Sequence, residues 1–513
     1  MTPKLIAIIA AAVGIIALAF MKYFDVQSQS AHTVNTSDAQ HIKATVKIGV
    51  DNWAGYYPLC SKHFRSSMRN AGLLSDCDND NADLDARFTK LRKGELQFAV
   101  TSVDAYLALG DDYNFQGAIV TVIDESKGGD ALVAYEDTIA SMDDLKGNTA
   151  LRIALTPDSP SEHLTRSLAV HFDVKSLKER GSWMVKADGS EQAVQMLANR
   201  LVDGAVLWEP DVTKALQIDG VSKVIGTEDT EKLIVDVLLV NREFMAQNPE
   251  LVKETLSVYF DTLSFYKQKP NNLVRELAKE TGLQSGAVQS MLQGVKWVSL
   301  TENAFDWFAT VSMPGSNEFL IDAIDSALDV LGETGVTTSN PLPEQNPYAI
   351  TQSQFVAELF DTKVGNVDPS LLDSQQKIQF TAISDSEWES LREVGTLKVR
   401  KIRFSPSDSN LSLDAKRVLD EAAKDIAHYP NYRILVKGHT SLSGDPKQNQ
   451  MLSQDRAEAV ERYLSITHGI SEARLHAKGA GSDEPLARLP NESNRAYSYR
   501  LPRVELILKA GAM

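Results

Sequence analysis

Val46-Lys47-Ile48-Gly49-Val50-Asp51-Asn52-Trp53-Ala54-Gly55-Tyr56-Tyr57-Pro58 opens the ordered part of the chain. Five residues alternate as a strand, an acidic and aromatic turn follows, and a helical pattern then runs through Arg69. The pattern recurs along the chain. The apolar run 98–100 ends in Thr101-Ser102-Val103-Asp104, and strands at 119–123, 131–135 and 152–155 alternate with helices. Such alternation predicts an α/β domain with mainly parallel sheets, in which ligands sit at strand carboxyl ends and helix amino ends. Ser159-Pro160-Ser161-Glu162 reads as a capping box, with Pro at the first helical turn. Asp203-Gly204-Ala205-Val206-Leu207-Trp208-Glu209-Pro210 brings an indole and a carboxylate to a strand end, the position of a cleft wall.

The chain has 513 residues, which predicts two to four domains. Hydrophobic content of 43% and charged content of 24% exclude wholesale disorder and a polytopic membrane protein. A net charge of −17 argues against binding nucleic acid, whose phosphates would be repelled. That charge is uneven: 19 Lys+Arg face 14 Asp+Glu from Thr396 onward, a net of +5, which leaves −22 for the rest. Two parts with different electrostatics therefore suit different partners.

Residues 5–21 carry no charged or polar side chain, so they meet the membrane as a signal sequence or a span. The one A-x-A, Ala17-Leu18-Ala19, lies inside the apolar run, so an uncleaved anchor is expected at 1–24, with a cleaved peptide as the alternative. The polar stretch 25–44 suits a flexible stalk. Cys60 and Cys77 are the only cysteines; an oxidised pair and two thiols both stay open.

Beyond Asn340 the pattern thins into Pro- and Gln-containing sequence, and a connector is expected at 354–395. A compact unit follows. Residues 399–404 form a strand; Leu411, Ala415, Val418, Leu419, Ala422 and Ile426 share one helical face; 433–437 is a strand that ends in Gly438-His439-Thr440. Asp445-Pro446 starts a helix on which Asn449, Leu452, Ser453 and Arg456 share a face.

The motifs Asn52-Trp53-Ala54-Gly55-Tyr56, 124–131, Asp144-Leu145-Lys146-Gly147, 203–210 and Thr301-Glu302-Asn303-Ala304 come in an order that resembles the nitrate, sulfonate, taurine and thiamine-precursor class of periplasmic binding proteins, over about 46–353. The resemblance implies a two-lobed type 2 periplasmic-binding-protein fold over 45–353, its lobes joined by two crossing strands and closing on a small solute. Lobe one is expected at about 46–140 and 240–350, with lobe two between. By position, the pocket candidates it implies are Trp53, Ala54, Gly55, Tyr56, Thr101, Ser102, Asp104, Ser126, Asp130, Ser159, Ser161, Trp208 and Glu209. The aromatics would sandwich an apolar or planar body, while Asp104, Asp130 and Glu209 would repel an anion unless Lys127 or helix ends outweigh them. A neutral or cationic ligand is expected as readily as an anion.

Gly438-His439-Thr440, Asn449, Leu452-Ser453, Arg456-Ala457, Gly479-Ala480-Gly481 and Arg503-Val504-Glu505 resemble the OmpA-like peptidoglycan-binding domain, a smaller α+β unit placed at 396–513. The resemblance implies a peptidoglycan site at His439, Thr440, Ser441, Asn449, Arg456 and Arg503. In the family an Asp directly after Gly-His-Thr and the helix Arg clamp the zwitterionic end of diaminopimelate. Here Ser441 replaces that Asp, which costs about 1.5–3 kcal/mol, or roughly 10- to 100-fold in affinity.

No Walker loop, G-x-S-x-G, H-E-x-x-H or C-x-x-C occurs, and the nine histidines show no metal-ligand spacing; His163 reads as a polar lining residue. A non-enzymatic protein with no cofactor and no metal is therefore expected. It would be a single-pass inner-membrane protein with its bulk in the periplasm, binding a solute and peptidoglycan. The alternatives are the substrate-binding component of an importer with an inner-membrane permease as partner, and an envelope signalling protein without a small ligand.

Overall fold

The computed structural model describes residues 42–311, 318–364, 380–399, 401–402, 404 and 408–511. The expected anchor, all but 42–44 of the stalk, and 365–379 of the connector lie outside the described residues. Among the described residues no helix is long and apolar enough to cross a membrane.

Lobe one begins with β1 (Ala44–Val50), β2 (Leu73–Asn79), β3 (Phe98–Ser102) and β4 (Gly117–Ser126). The chain then crosses to lobe two, which holds β5 (Asp130–Tyr135), β6 (Ile153–Leu155), β7 (Met184–Lys186), β8 (Gly204–Trp208) and β9 (Val221–Gly226). It returns to lobe one for β10 (Val235–Asn241) and β11 (Val295–Trp297). The sheet orders are β11-β4-β10-β3-β1-β2 and β7-β6-β8-β5-β9. β3, β4 and β10 are buried along their whole length, because helices cover both faces of the sheet centre. The sheets are mixed: β1 runs parallel to β2 and β3, whereas β10 runs antiparallel to β3 and β4. The Cys60–Cys77 disulfide, with Cα atoms 6.0 Å apart, ties β2 to the segment after β1.

Several expected boundaries move. The first crossing falls at 126–130, not near 140, because β5 pairs with β8 and β9 in the second sheet. The helix Gln354–Lys363 belongs to lobe one and not to a connector, since it buries Phe355, Val356, Leu359 and Phe360 there. Ser159 does not close a capping box. Its hydroxyl donates to Thr156 O at 2.7 Å, while Glu162 accepts from the Asp158 amide at 2.7 Å and pairs with Arg166 and Arg180.

The C-terminal domain starts earlier than 396, with the helix Asp385–Ser390 and β12 (Arg392–Thr396). β13 (Arg433–His439), β14 (Leu475–Gly479) and β15 (Arg503–Ala510) complete a sheet of order β12-β15-β13-β14. The helix Leu413–Ala427 buries the expected face through Ala415, Val418, Leu419, Ala422 and Ile426. Asp445 caps the helix Pro446–His468 by accepting from the Gln448 amide at 3.0 Å. That helix lies so close to β13 that a Cβ on Gly438 would stand 2.1 Å from Ser453 O, so only glycine fits there.

The C-terminal domain does not hang free of the two lobes. One apolar cluster runs from Leu132, Ile153, Leu168 and Phe172 of lobe two to Val394, Leu397, Leu419 and Tyr429. Phe172 meets the Tyr429 ring edge-on at 5.6 Å between centroids, and His171 Nδ1 lies 2.6 Å from the Tyr429 hydroxyl. Polar contacts extend the seam to the second crossing, where Glu231 N donates to His428 O at 2.9 Å and Asn431 Nδ2 donates to Glu228 O. They reach lobe one through Lys398, 2.8 Å from Glu333. Shared burial predicts cooperative unfolding: the chain should melt in one calorimetric transition, and Phe172→Ala should split it in two by removing roughly 3–5 kcal/mol of packing. Two transitions in the unaltered protein would sink this expectation.

Candidate functional sites in the cleft and the groove

Pairing register assembles the cleft. Asp236 of β10 lies opposite Asp124 of β4 on one side and Ser102 of β3 on the other, and Asp130 of β5 lies opposite Trp208 of β8. These positions flank the two crossings, so residues from both lobes meet there. Trp53 Nε1 donates to both Asp124 oxygens, at 3.2 and 3.3 Å, and the Tyr56 hydroxyl donates to Asp236 Oδ1 at 2.5 Å. Gly55 is what permits this approach, since a Cβ there would stand 2.1 Å from Asp124 Oδ2 and 2.3 Å from Trp53 Nε1.

Between the lobes is a cavity of about 30 Å³. Of the expected residues, Trp53, Tyr56, Thr101, Ser102, Asp130, Ser159 and Trp208 line it. Ala54, Gly55, Asp104, Ser126, Ser161 and Glu209 are buried but do not line it. Glu209 instead accepts from the Thr213 amide and hydroxyl at 3.0 and 2.8 Å. Ser126 Oγ stands 2.7 Å from Thr227 Oγ1, between the crossings. His163 is fully enclosed, and burial pushes its imidazole below the usual value.

Sequence reasoning missed Asp51, Arg87 and Asp236 as lining residues, and Asp124 behind them. A signal existed for two of these: Asp236 interrupts the apolar run 233–240, and Asp124 ends the run 118–123. Arg87 is fully buried and engaged, bonding Asp51 at 3.0 Å, Asp80 at 2.5 Å and Val100 O at 2.9 Å. Burial, and next the neighbouring Asp236, holds the Asp124 carboxyl well above the usual carboxylate range. Asp130 is raised by burial and by Asp236, Asp104 and Glu209 around it, against a hydrogen bond from Ser126. Asp236 is itself raised, again chiefly by burial.

The second site is a groove of about 770 Å³ in the C-terminal domain. Thr440, Ser441, Asn449 and Arg456 line it, with Phe404, Asp445, Met451, Asp455 and Tyr499 beside them. Asn449 Nδ2 donates to Ser443 O at 3.1 Å and so holds the loop that carries Ser441. Arg456 Nε donates to Asp408 O at 3.0 Å, and its guanidinium lies 5.0 Å from the Phe404 ring centroid. His439 and Arg503 stand outside the groove lining. His439 Nε2 is 3.1 Å from Glu505, which Arg503 meets at 2.6 Å. Burial opposes ionisation of Glu505, yet the hydrogen bond from His439 and the charge of Arg503 hold it at about 2. Asp455, one residue before Arg456, supplies a carboxylate to the groove that the motif reading did not single out. Among the described residues no group of three or more His, Cys, Asp or Glu could hold a metal ion.

The raised carboxyl of Asp236 has a consequence for stability. A folded value above the unfolded one means that stability falls as pH rises through the folded value, because the unfolded chain ionises freely and the native cleft does not. Asp236→Asn keeps an acceptor for Tyr56 and removes the charge. It should raise the melting temperature at pH 8 by about 2–4 °C more than at pH 4. An equal effect at both pH values would show that Asp236 is not strained when ionised.

The OmpA family pattern matches residues 403–498. A peptidoglycan-associated lipoprotein of Pseudomonas aeruginosa is 35% identical over 98 residues, which cover 19% of this chain and 57% of that one. A peptidoglycan-associated lipoprotein of Pseudomonas putida is 34% identical over 113 residues, covering 22% of this chain and 67% of that one. The alkanesulfonate-binding protein SsuA of Xanthomonas axonopodis pv. citri is similar to 61% of this chain over 99% of its own, at 15% identity and a TM-score of 0.48. Through its C-terminal domain, the chain belongs to the OmpA family.

Proposed function

We propose that this protein is a solute-binding clamp tethered to the cell wall, anchored in the inner membrane by residues 5–21 with its bulk in the periplasm. The clamp would close on a small polar ligand between Trp53, Tyr56, Ser102 and Asp236 of lobe one and Ser159 and Trp208 of lobe two. The groove would take the stem peptide of peptidoglycan, with Arg456 receiving its free carboxylate. One observation carries the reading: the cleft draws residues from both lobes, and lobe two shares a continuous apolar core with a domain whose groove presents the family's Arg. A second reading, a signalling clamp without a small ligand, is favoured by the small volume of the cleft, about 30 Å³. Delivery of solute to an inner-membrane permease would be a further use of the same clamp.

Retention of the detergent-solubilised full chain on diaminopimelate-type sacculi tests the tether, with free diaminopimelate as competitor. Arg456→Ala should release it by about tenfold or more, and Ser441→Asp should tighten it by up to about 100-fold by restoring a charge-assisted partner for the ammonium. If neither substitution changes retention, the groove is not the wall site.

A further inference from the structure

Asp104, Asp124, Asp130 and Asp236 are each at most 4% exposed, and among the described residues none of the four forms an ion pair. The single cation lining the cavity, Arg87, is already held by two other carboxylates and a carbonyl. Lys127, which the sequence offered as a counter-charge, turns away to Thr230 O at 2.5 Å and Glu125 at 3.2 Å. Buried carboxylates without a counter-charge are strongly disfavoured, and a cation placed among them removes that penalty. An anion would add to it.

Two lining atoms lack any hydrogen-bond partner, Asp130 Oδ1 and Ser102 Oγ, each on a side chain about 2% exposed. Register sets Ser102 beside Asp236 and Asp130 beside Trp208, so acceptors from the two lobes converge on one space. A nitrate or sulfonate oxygen offers only acceptors and leaves the Asp130 oxygen unmet. A protonated amine offers up to three donors, which matches Asp130, Asp236 and Ser102. The cavity of about 30 Å³ has room for one such head group. The indoles of Trp53 and Trp208 approach it from opposite lobes, and an indole face attracts an ammonium ion.

We infer that the cleft takes the ammonium group of a small organic amine, held by Asp130, Asp236 and Ser102 between Trp53 and Trp208. This rests on the solute-clamp reading and adds the charge class of the ligand. The body of the amine extends along the seam between the lobes, which part about the crossings to admit it.

The test is a titration of the full chain in non-ionic detergent, followed by tryptophan fluorescence and calorimetry. The probes are ethylammonium, tetramethylammonium and putrescine, with ethanesulfonate and nitrate as anionic counterparts at matched ionic strength. Saturable binding of an amine is expected, with ethylammonium or putrescine ahead of tetramethylammonium, which has no N–H to donate. Asp130→Asn should weaken that binding by about tenfold or more while the melting profile stays intact. Should that variant fail to fold, Ser102→Ala removes another of the proposed contacts to the ammonium and should weaken binding about two- to tenfold. Binding of ethanesulfonate or nitrate in place of the amines would overturn the amine inference and leave the clamp reading standing. Absence of binding by either class, in protein that melts normally, would overturn both.

Discussion

A single buried hydroxyl, that of Thr227, ties together the two places where the chain passes between lobes. Its oxygen accepts from the Gly128 and Asp130 amides at 3.0 and 3.2 Å and lies 2.7 Å from Ser126 Oγ. The cleft is arranged around that knot. The first crossing leads directly into Asp130 and the second into Asp236, so the cleft acids are positioned by the same contacts that set the angle between the lobes. Any change in the angle between the lobes would therefore move Asp130 and Asp236 as well.

The cleft gathers three buried carboxyls, Asp124, Asp130 and Asp236, that have no counter-charge among the described residues and that burial holds above the usual carboxylate range. Asp124 has the Trp53 N–H and a hydrogen bond shared with Asp236, and Asp236 also has the Tyr56 hydroxyl, which soften the cost of burial without cancelling it. Arg87 does not help, because its geometry satisfies Asp51 and Asp80 first. Three raised carboxyls thus share one cleft, and perturbed carboxyls cluster at binding sites.

The C-terminal domain grips the second crossing within a few residues of Thr227, through Glu228 and Glu231, and packs Tyr429 against Phe172 of lobe two. Its groove, lined by Arg456 and Ser441, lies elsewhere in the same domain. A domain joined by a shared apolar core transmits displacement, whereas one on a long connector would not. The domain that carries the groove is thus packed directly against lobe two and the second crossing.

Strand alternation from Val46, the helix face of Leu413–Ala427, the Asp445 cap and the Gly-His-Thr strand end were all legible in the sequence, because each depends on neighbours a few residues apart. Trp53, Tyr56, Ser102, Asp130 and Trp208, which the resemblance implied by position, line the cavity between the lobes. Tertiary structure alone decided that Glu162 would serve two arginines and not a cap, that Glu209 would turn to Thr213, and that 354–363 would complete lobe one. It also set Asp124 against Asp236 across two strands separated by 112 positions in the chain, and brought Tyr429 onto Phe172. Local periodicity carries the elements, but which charges share a space and which apolar faces meet depend on register and crossing points, and these are set only when the sheets assemble.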